Sequence, residues 1–178
     1  MLMSVCSMWC QSRSGDLAGN QLAKFVPDAR LHLLGGGSEE GRLRRLVDGL
    51  ALQNSVQFHG RLDDAGMAAV LARCKLSVSV PESDATSVSV LESMACGLAV
   101  IASDLPANRD WLDARALVPP GDVVALARGW SGLIGDGALA QHMGRDNAER
   151  IAQGGDRRVQ MDAMDALYRQ LLASKARA

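Results

Sequence analysis

The stretch "LSVSVPESDATSVSVLESMACGLAVIAS", Leu76 to Ser103, decides the fold. It reads as a buried strand over Leu76–Val80, a polar loop, a helix from Thr86 to Cys96, and a second buried strand over Leu98–Ala102. Two apolar strands joined through a helix must pair in parallel, because a tight hairpin is not available to them. The pattern repeats outward. Strand-like runs occur at Leu2–Cys6, Arg30–Leu34, Ser55–Phe58 and Ala116–Val118. Between them, Leu43, Leu46, Val47 and Leu50 follow helical spacing, as do Met67, Val70, Leu71 and Cys74. Val123, Leu126, Ala127, Trp130 and Ile134 do the same in a helix that Asp122 is placed to cap. Single strands alternating with helices predict an α/β fold, a doubly wound parallel sheet covered on both faces.

Bulk composition narrows the function. The 178 residues suffice for one domain with a real core, and we expect a single domain over 1–178. A net charge of −1 gives no electrostatic case for nucleic acid, and 3% aromatic residues leave little for base stacking. The four cysteines show no C-x-x-C spacing, and His32, His59 and His142 are scattered, so no metal is expected. Reduced thiols suit a cytoplasmic protein. The apolar start "MLMSVCSMWC" is too short to cross a bilayer and reads as a strand, so no transmembrane segment is expected there.

Two segments depart from the alternation. Residues 1–25 look like a degraded first β-α unit, since "QSRSGDLAGNQLAK" is polar and poorly periodic. From Gly121 the chain reads as helical to its end, closing in a helix over 156–174 with Met161, Met164, Tyr168 and Leu171 on one stripe. Such a helix packs on its own sheet or reaches another domain.

Ligands of open parallel sheets bind beyond the carboxyl ends of the strands. Of two candidate loops, "LLGGGSEEG" fails the dinucleotide spacing G-x-G-x-x-G, and its Glu39 and Glu40 would repel a pyrophosphate. A tight turn with an acidic helix start is the better reading. The second loop, "PESDATS", runs straight into the helix. Asp84, Thr86 or Ser87 can cap it, alone or together with a bound diphosphate. Here Glu92 is informative. Val88, Leu91, Met94 and Ala95 predict the buried side, and Glu92 falls at its edge with no lysine or arginine three or four residues away. A carboxylate so placed needs a partner from elsewhere in the fold or a ligand with vicinal hydroxyls. With Asp84 at the mouth of the same loop, the pair suits a ligand combining hydroxyls with phosphate, such as a nucleotide-sugar.

The runs "PDARLHLLGGG", "SVQFHGRLDDAGMAAVLARCKLSVSVPESDATSVSVLESMACGLAVIASD" and "ALVPPGD" resemble, in order and spacing, the C-terminal donor-binding half of the retaining group 1 (family 4) glycosyltransferases of GT-B fold. The resemblance covers about Pro27 to Leu172. It implies a catalytic role for Asp84, facing the transferred sugar as the first carboxylate of a motif that here reads D-x7-E. It implies that Glu92 binds the donor ribose, and that Ser87 and Val88, with neighbouring Thr86, present amides to the diphosphate. Arg61, Leu62 and Asp64 fall in the loop bordering the base, and Arg13 stands where the family has a phosphate-clamping arginine. No lysine matches the second clamp. Transfer with retention, without cofactor or metal, follows from the same resemblance.

The resemblance further implies that an acceptor domain lies elsewhere. It makes a nucleotide-sugar donor the expected ligand, and an acceptor-domain protein or a second copy, joined through the terminal helix, the expected partner. The expected location is the cytoplasm or the inner membrane face. A non-catalytic nucleotide-sugar-binding or protein-interaction module, descended from such an enzyme, is the alternative.

Overall fold

The computed structural model describes residues 3–8, 29–85 and 87–175. Six strands form one sheet: β1 (Met3–Met8), β2 (Ala29–Leu34), β3 (Val56–Gly60), β4 (Leu76–Ser79), β5 (Ala99–Ser103) and β6 (Leu117–Val118). Every pairing is parallel, and the order is β3-β2-β1-β4-β5-β6. The chain therefore winds outward from β1 to β3, returns past β1, and winds outward the other way from β4. Between β1 and β4 lies the switch point at which doubly wound sheets open a crevice. Helices α1 (Glu40–Gly49), α2 (Asp64–Leu71), α3 (Val88–Ala95), α4 (Pro106–Arg109), α5 (Val123–Gly135), α6 (Gly137–Gly154) and α7 (Arg157–Lys175) complete the described chain.

The expected strands are all present within the usual one- or two-residue boundary differences. The degraded stretch between β1 and β2 lies outside the described residues, as do Arg13 and Thr86. β5 is buried at all five positions, as its unbroken apolar run requires of a strand covered on both faces. α5 starts as expected, the Ala125 amide donating to Asp122 at 2.9 Å.

The buried side of α3 differs from expectation. Val90, Ser93 and Met94 are buried, whereas Val88 is 55% exposed and Ala95 is exposed too. Apolarity misled because serines occupy the inner face. Ser93 Oγ donates to the Ser89 carbonyl at 2.8 Å, so Ser77 of β4 must be the donor in the 2.7 Å Ser77–Ser93 bond. Ser79 and Ser89 make a second such contact at 3.2 Å. Hydroxyls that satisfy one another can be buried with little penalty, and they fix α3 on β4 in one register.

The same helix ends sharply. Gly97 takes a φ of 71°, its amide donates to the Met94 carbonyl at 2.9 Å, and the Leu98 amide donates to the Ser93 carbonyl at 3.1 Å. These are the paired bonds of a helix closed by a left-handed glycine. Across from it, Gly144 of α6 has no room for a side chain, since a Cβ there would overlap the Gly97 carbonyl oxygen. α3 is thus held between the sheet and α6, and Asn147 of α6 donates to the Leu98 carbonyl at 2.8 Å.

α7 is the exception to this packing. None of its residues is buried, and Met161, Met164, Leu167, Tyr168, Leu171 and Leu172 are all at least half exposed. Of the two placements open to this helix, packing on its own sheet is not the one observed.

Candidate functional site

The carboxyl ends of the strands carry the loops that form the candidate site. The β4–α3 loop is secured from beneath, since Ser103 of β5 donates to the Pro81 carbonyl at 2.7 Å and Asn108 donates to the Ser103 carbonyl at 2.8 Å. Its backbone is therefore fixed by buried groups while Glu82, Asp84 and Ala85 stay exposed. Ser87 holds the N-cap position of α3 but makes no cap bond of its own. Its hydroxyl donates instead to Asp84 Oδ2 at 3.1 Å. The amides of the first turn are thus not met by the Ser87 hydroxyl, and a helix start of this kind attracts anions. A small cavity of about 160 Å³ adjoins it, bordered by Ser87, Leu91, Asn108 and Trp111.

Glu92 sits one turn along α3, half-buried. Among the described residues no lysine or arginine lies within ion-pairing distance of it. Burial, and then the neighbouring charge of Asp64, push its carboxyl above the ordinary 4.5. Asp63 caps α2 by accepting from the Gly66 amide at 2.8 Å, and Asp64 follows in the first turn of that helix. Arg61 and Leu62 are exposed in the same loop.

The β2–α1 turn joins this edge through backbone. Gly35 donates to the Gly60 carbonyl at 2.8 Å, and the Arg61 side chain runs beside Gly36. Glu39 and Glu40 are occupied with Arg42 and Arg44 at 2.6 and 2.7 Å, as befits an acidic helix start. The structure thus brings Asp84, Ser87 and Val88 together at the start of α3, with Glu92 one turn on and Asp64 near enough for its charge to be felt there. The two remaining members of the predicted set, Arg13 and Thr86, are not described. Sequence reasoning missed the serines of α3 and β4, although the alternation in "LSVSV" and "SVSVLES" carried the signal.

A family model for "Glycosyl transferases group 1" matches residues 8–136. The chain belongs to that family. A phosphatidyl-myo-inositol mannosyltransferase of Mycobacterium leprae is 33% identical over 131 residues, covering 70% of this chain and 33% of that protein. An exopolysaccharide phosphotransferase of Streptomyces coelicolor is 37% identical over 139 residues, 72% of this chain and 14% of its own length. The chain therefore spans a third or less of these relatives. Among solved structures, a sucrose-phosphate synthase from Thermosynechococcus elongatus superimposes with a TM-score of 0.83 at 28% identity, over 97% of this chain and 46% of that one. HepE of Anabaena, in complex with UDP-glucose, gives 0.80 at 20% identity over 97% of this chain and 49% of that one, a likeness of fold. The glycosyltransferase fold here is one half of a GT-B architecture.

Proposed function

We propose that residues 1–178 form a donor-binding domain that holds a nucleoside diphosphate-sugar at the switch-point edge for transfer of the sugar with retention. The observation that carries this reading is the pairing of a helix start not capped by its own serine with a half-buried carboxylate one turn away that has no cation partner among the described residues. Glu92 accepts from the two ribose hydroxyls, which replaces the water its burial removes. Amides at Ser87 and Val88, beside Thr86, take the diphosphate, and Arg61, Leu62 and Asp64 border the base. Asp84, positioned by the Ser87 hydroxyl, faces the sugar, and Arg13 is the candidate for a further phosphate contact.

In the transfer, the bond from the anomeric carbon to the phosphate oxygen breaks, and an acceptor hydroxyl forms a new bond on the same face. The electron pair leaves with the nucleoside diphosphate, whose released oxygen takes the proton lost by the acceptor hydroxyl. Helix dipole and amides stabilise that growing charge, so the proposed reaction uses no metal. A half-site of this kind binds donor but leaves the acceptor to another domain, a partner protein or a second copy. The exposed stripe of α7 supports a partner of that sort. Work on an acceptor at the cytoplasmic face of a membrane is compatible with this reading; no described helix is long and apolar enough to cross one.

Calorimetric titration with a panel of nucleoside diphosphates and their sugar esters tests the proposal. Saturable binding of one base class, tighter than that of the free sugar, is expected. No binding across the panel would overturn it.

A further inference from the structure

At the opposite edge of the sheet, where β2 and β3 begin, lies a cavity of about 600 Å³. Arg30, His32, Ser55, Gln57 and Arg73 line it, with the amides of Gln53 and Asn54 at its rim. No aspartate or glutamate is among the described lining residues. Neither Arg30 nor Arg73 has an ion-pair partner among the described residues, in contrast to Arg42, Arg44, Arg109 and Arg150. Arg30 comes from the start of β2, and Arg73 from the turn between α2 and β4, so two separate parts of the chain bring arginines to the border of one space.

Beneath them is a histidine pair. The β2–β3 register slips between Leu33 and Leu34, which makes His59 the extra residue of a bulge and re-aims its ring. His59 Nε2 then meets His32 Nδ1 at 2.9 Å. One of these nitrogens carries the proton and the other accepts it. With Nδ1 engaged, buried His32 has only Nε2 left to offer the cavity. When His59 donates, His32 Nε2 bears a proton and becomes a third donor beside the two guanidiniums. Burial first, then His59, Arg73 and Arg30, lower the readiness of His32 to take a second proton, and an anion here would relieve the last two effects.

We propose that this cavity binds a phosphomonoester of a small hydroxyl-bearing molecule, at a site separate from the sugar-donor edge. The guanidiniums and His32 take the phosphate oxygens; Ser55, Gln53, Asn54 and Gln57 serve hydroxyls in the remaining space. Two fork-shaped donors with no acidic residue among the described lining match a tetrahedral oxyanion better than a carboxylate-rich or neutral ligand.

The test is titration of the full chain with inorganic phosphate, ribose 5-phosphate and free ribose, followed by calorimetry or by amide shifts of residues 53–57 and 73. Phosphate and ribose 5-phosphate should bind, the ester more tightly, and ribose should not. Arg73→Gln and Arg30→Gln should each weaken binding about tenfold or more. Both variants should keep the wild-type melting temperature and any nucleotide binding at the donor edge. Absence of phosphate binding, or binding that survives the double substitution, would overturn the proposal. Loss of nucleotide binding together with phosphate binding would overturn the separateness of the two sites.

Discussion

The two wings of the sheet are built differently. On the β4–β5–β6 wing, Val78, Val90, Met94, Ile101, Leu126 and Trp130 belong to one continuous core, closed by α3, α5 and α6. On the β2–β3 wing the corresponding cluster among the described residues is Leu34, Val70, Leu71, Cys74 and Leu98, and α1 buries no residue at all. The cause is visible in the strands. "AVIAS" is buried throughout, whereas β2, "ARLHLL", alternates and places Arg30 and His32 on the face where a core would otherwise continue. The wing with the larger described core holds α3 against the sheet; the other borders a polar cavity.

Truncation in each wing tests that contrast most strongly. Met94→Ala should cost about 4 kcal/mol, because α3 is fixed by Gly144 and Asn147 and cannot settle into the void. Leu34→Ala should cost nearer ~2 kcal/mol, since its smaller cluster can relax. Denaturant midpoints measure both, and equal losses would break the distinction between the wings.

Acidity sharpens the contrast next. His32 and His59 have pKa values lowered from 6.5, chiefly by burial, so the folded state favours their neutral forms. Their contribution is present above pH 6.5 and is lost as pH falls through the lowered values. Glu92 behaves in the opposite sense. Its raised pKa means stability present below 4.5 that is lost as pH rises through the folded value. Glu92→Gln should therefore raise the melting temperature at neutral pH and leave it unchanged at strongly acidic pH. A fall at neutral pH would show that the carboxylate has a stabilising partner in the fold. The smallest effect belongs to the surface of α1. Glu40→Gln removes an exposed pair with Arg44 and should cost only about 0.3–0.5 kcal/mol, less at high salt.

Much of this was legible in the residues. The six strands follow from apolar runs of the right length, and the cap of α5 from Asp122 before an apolar period. Glu92 was found by the absence of cations at helical spacing, which local sequence does reveal. The inner face of α3 was not, because hydrophobicity cannot tell a solvated serine from one bonded across to a strand. Only the register of Ser77 and Ser79 against Ser93 and Ser89 decides that. Nor was the histidine pair legible, since it depends on a bulge that brings residues 27 positions apart together. Exposure of the α7 stripe was likewise undecidable, because the same amphipathic pattern serves a helix on its own sheet or one that meets a partner.

The central claim is that Glu92, which has no cation partner among the described residues, is completed by a ligand's hydroxyls. Calorimetric titration of the wild-type chain and of Glu92→Gln with the preferred nucleoside diphosphate, at neutral pH, tests this directly. The account predicts that affinity falls by about 1–3 kcal/mol, roughly 5- to 150-fold, while the variant melts higher than wild type. Unchanged affinity in a folded variant would contradict it.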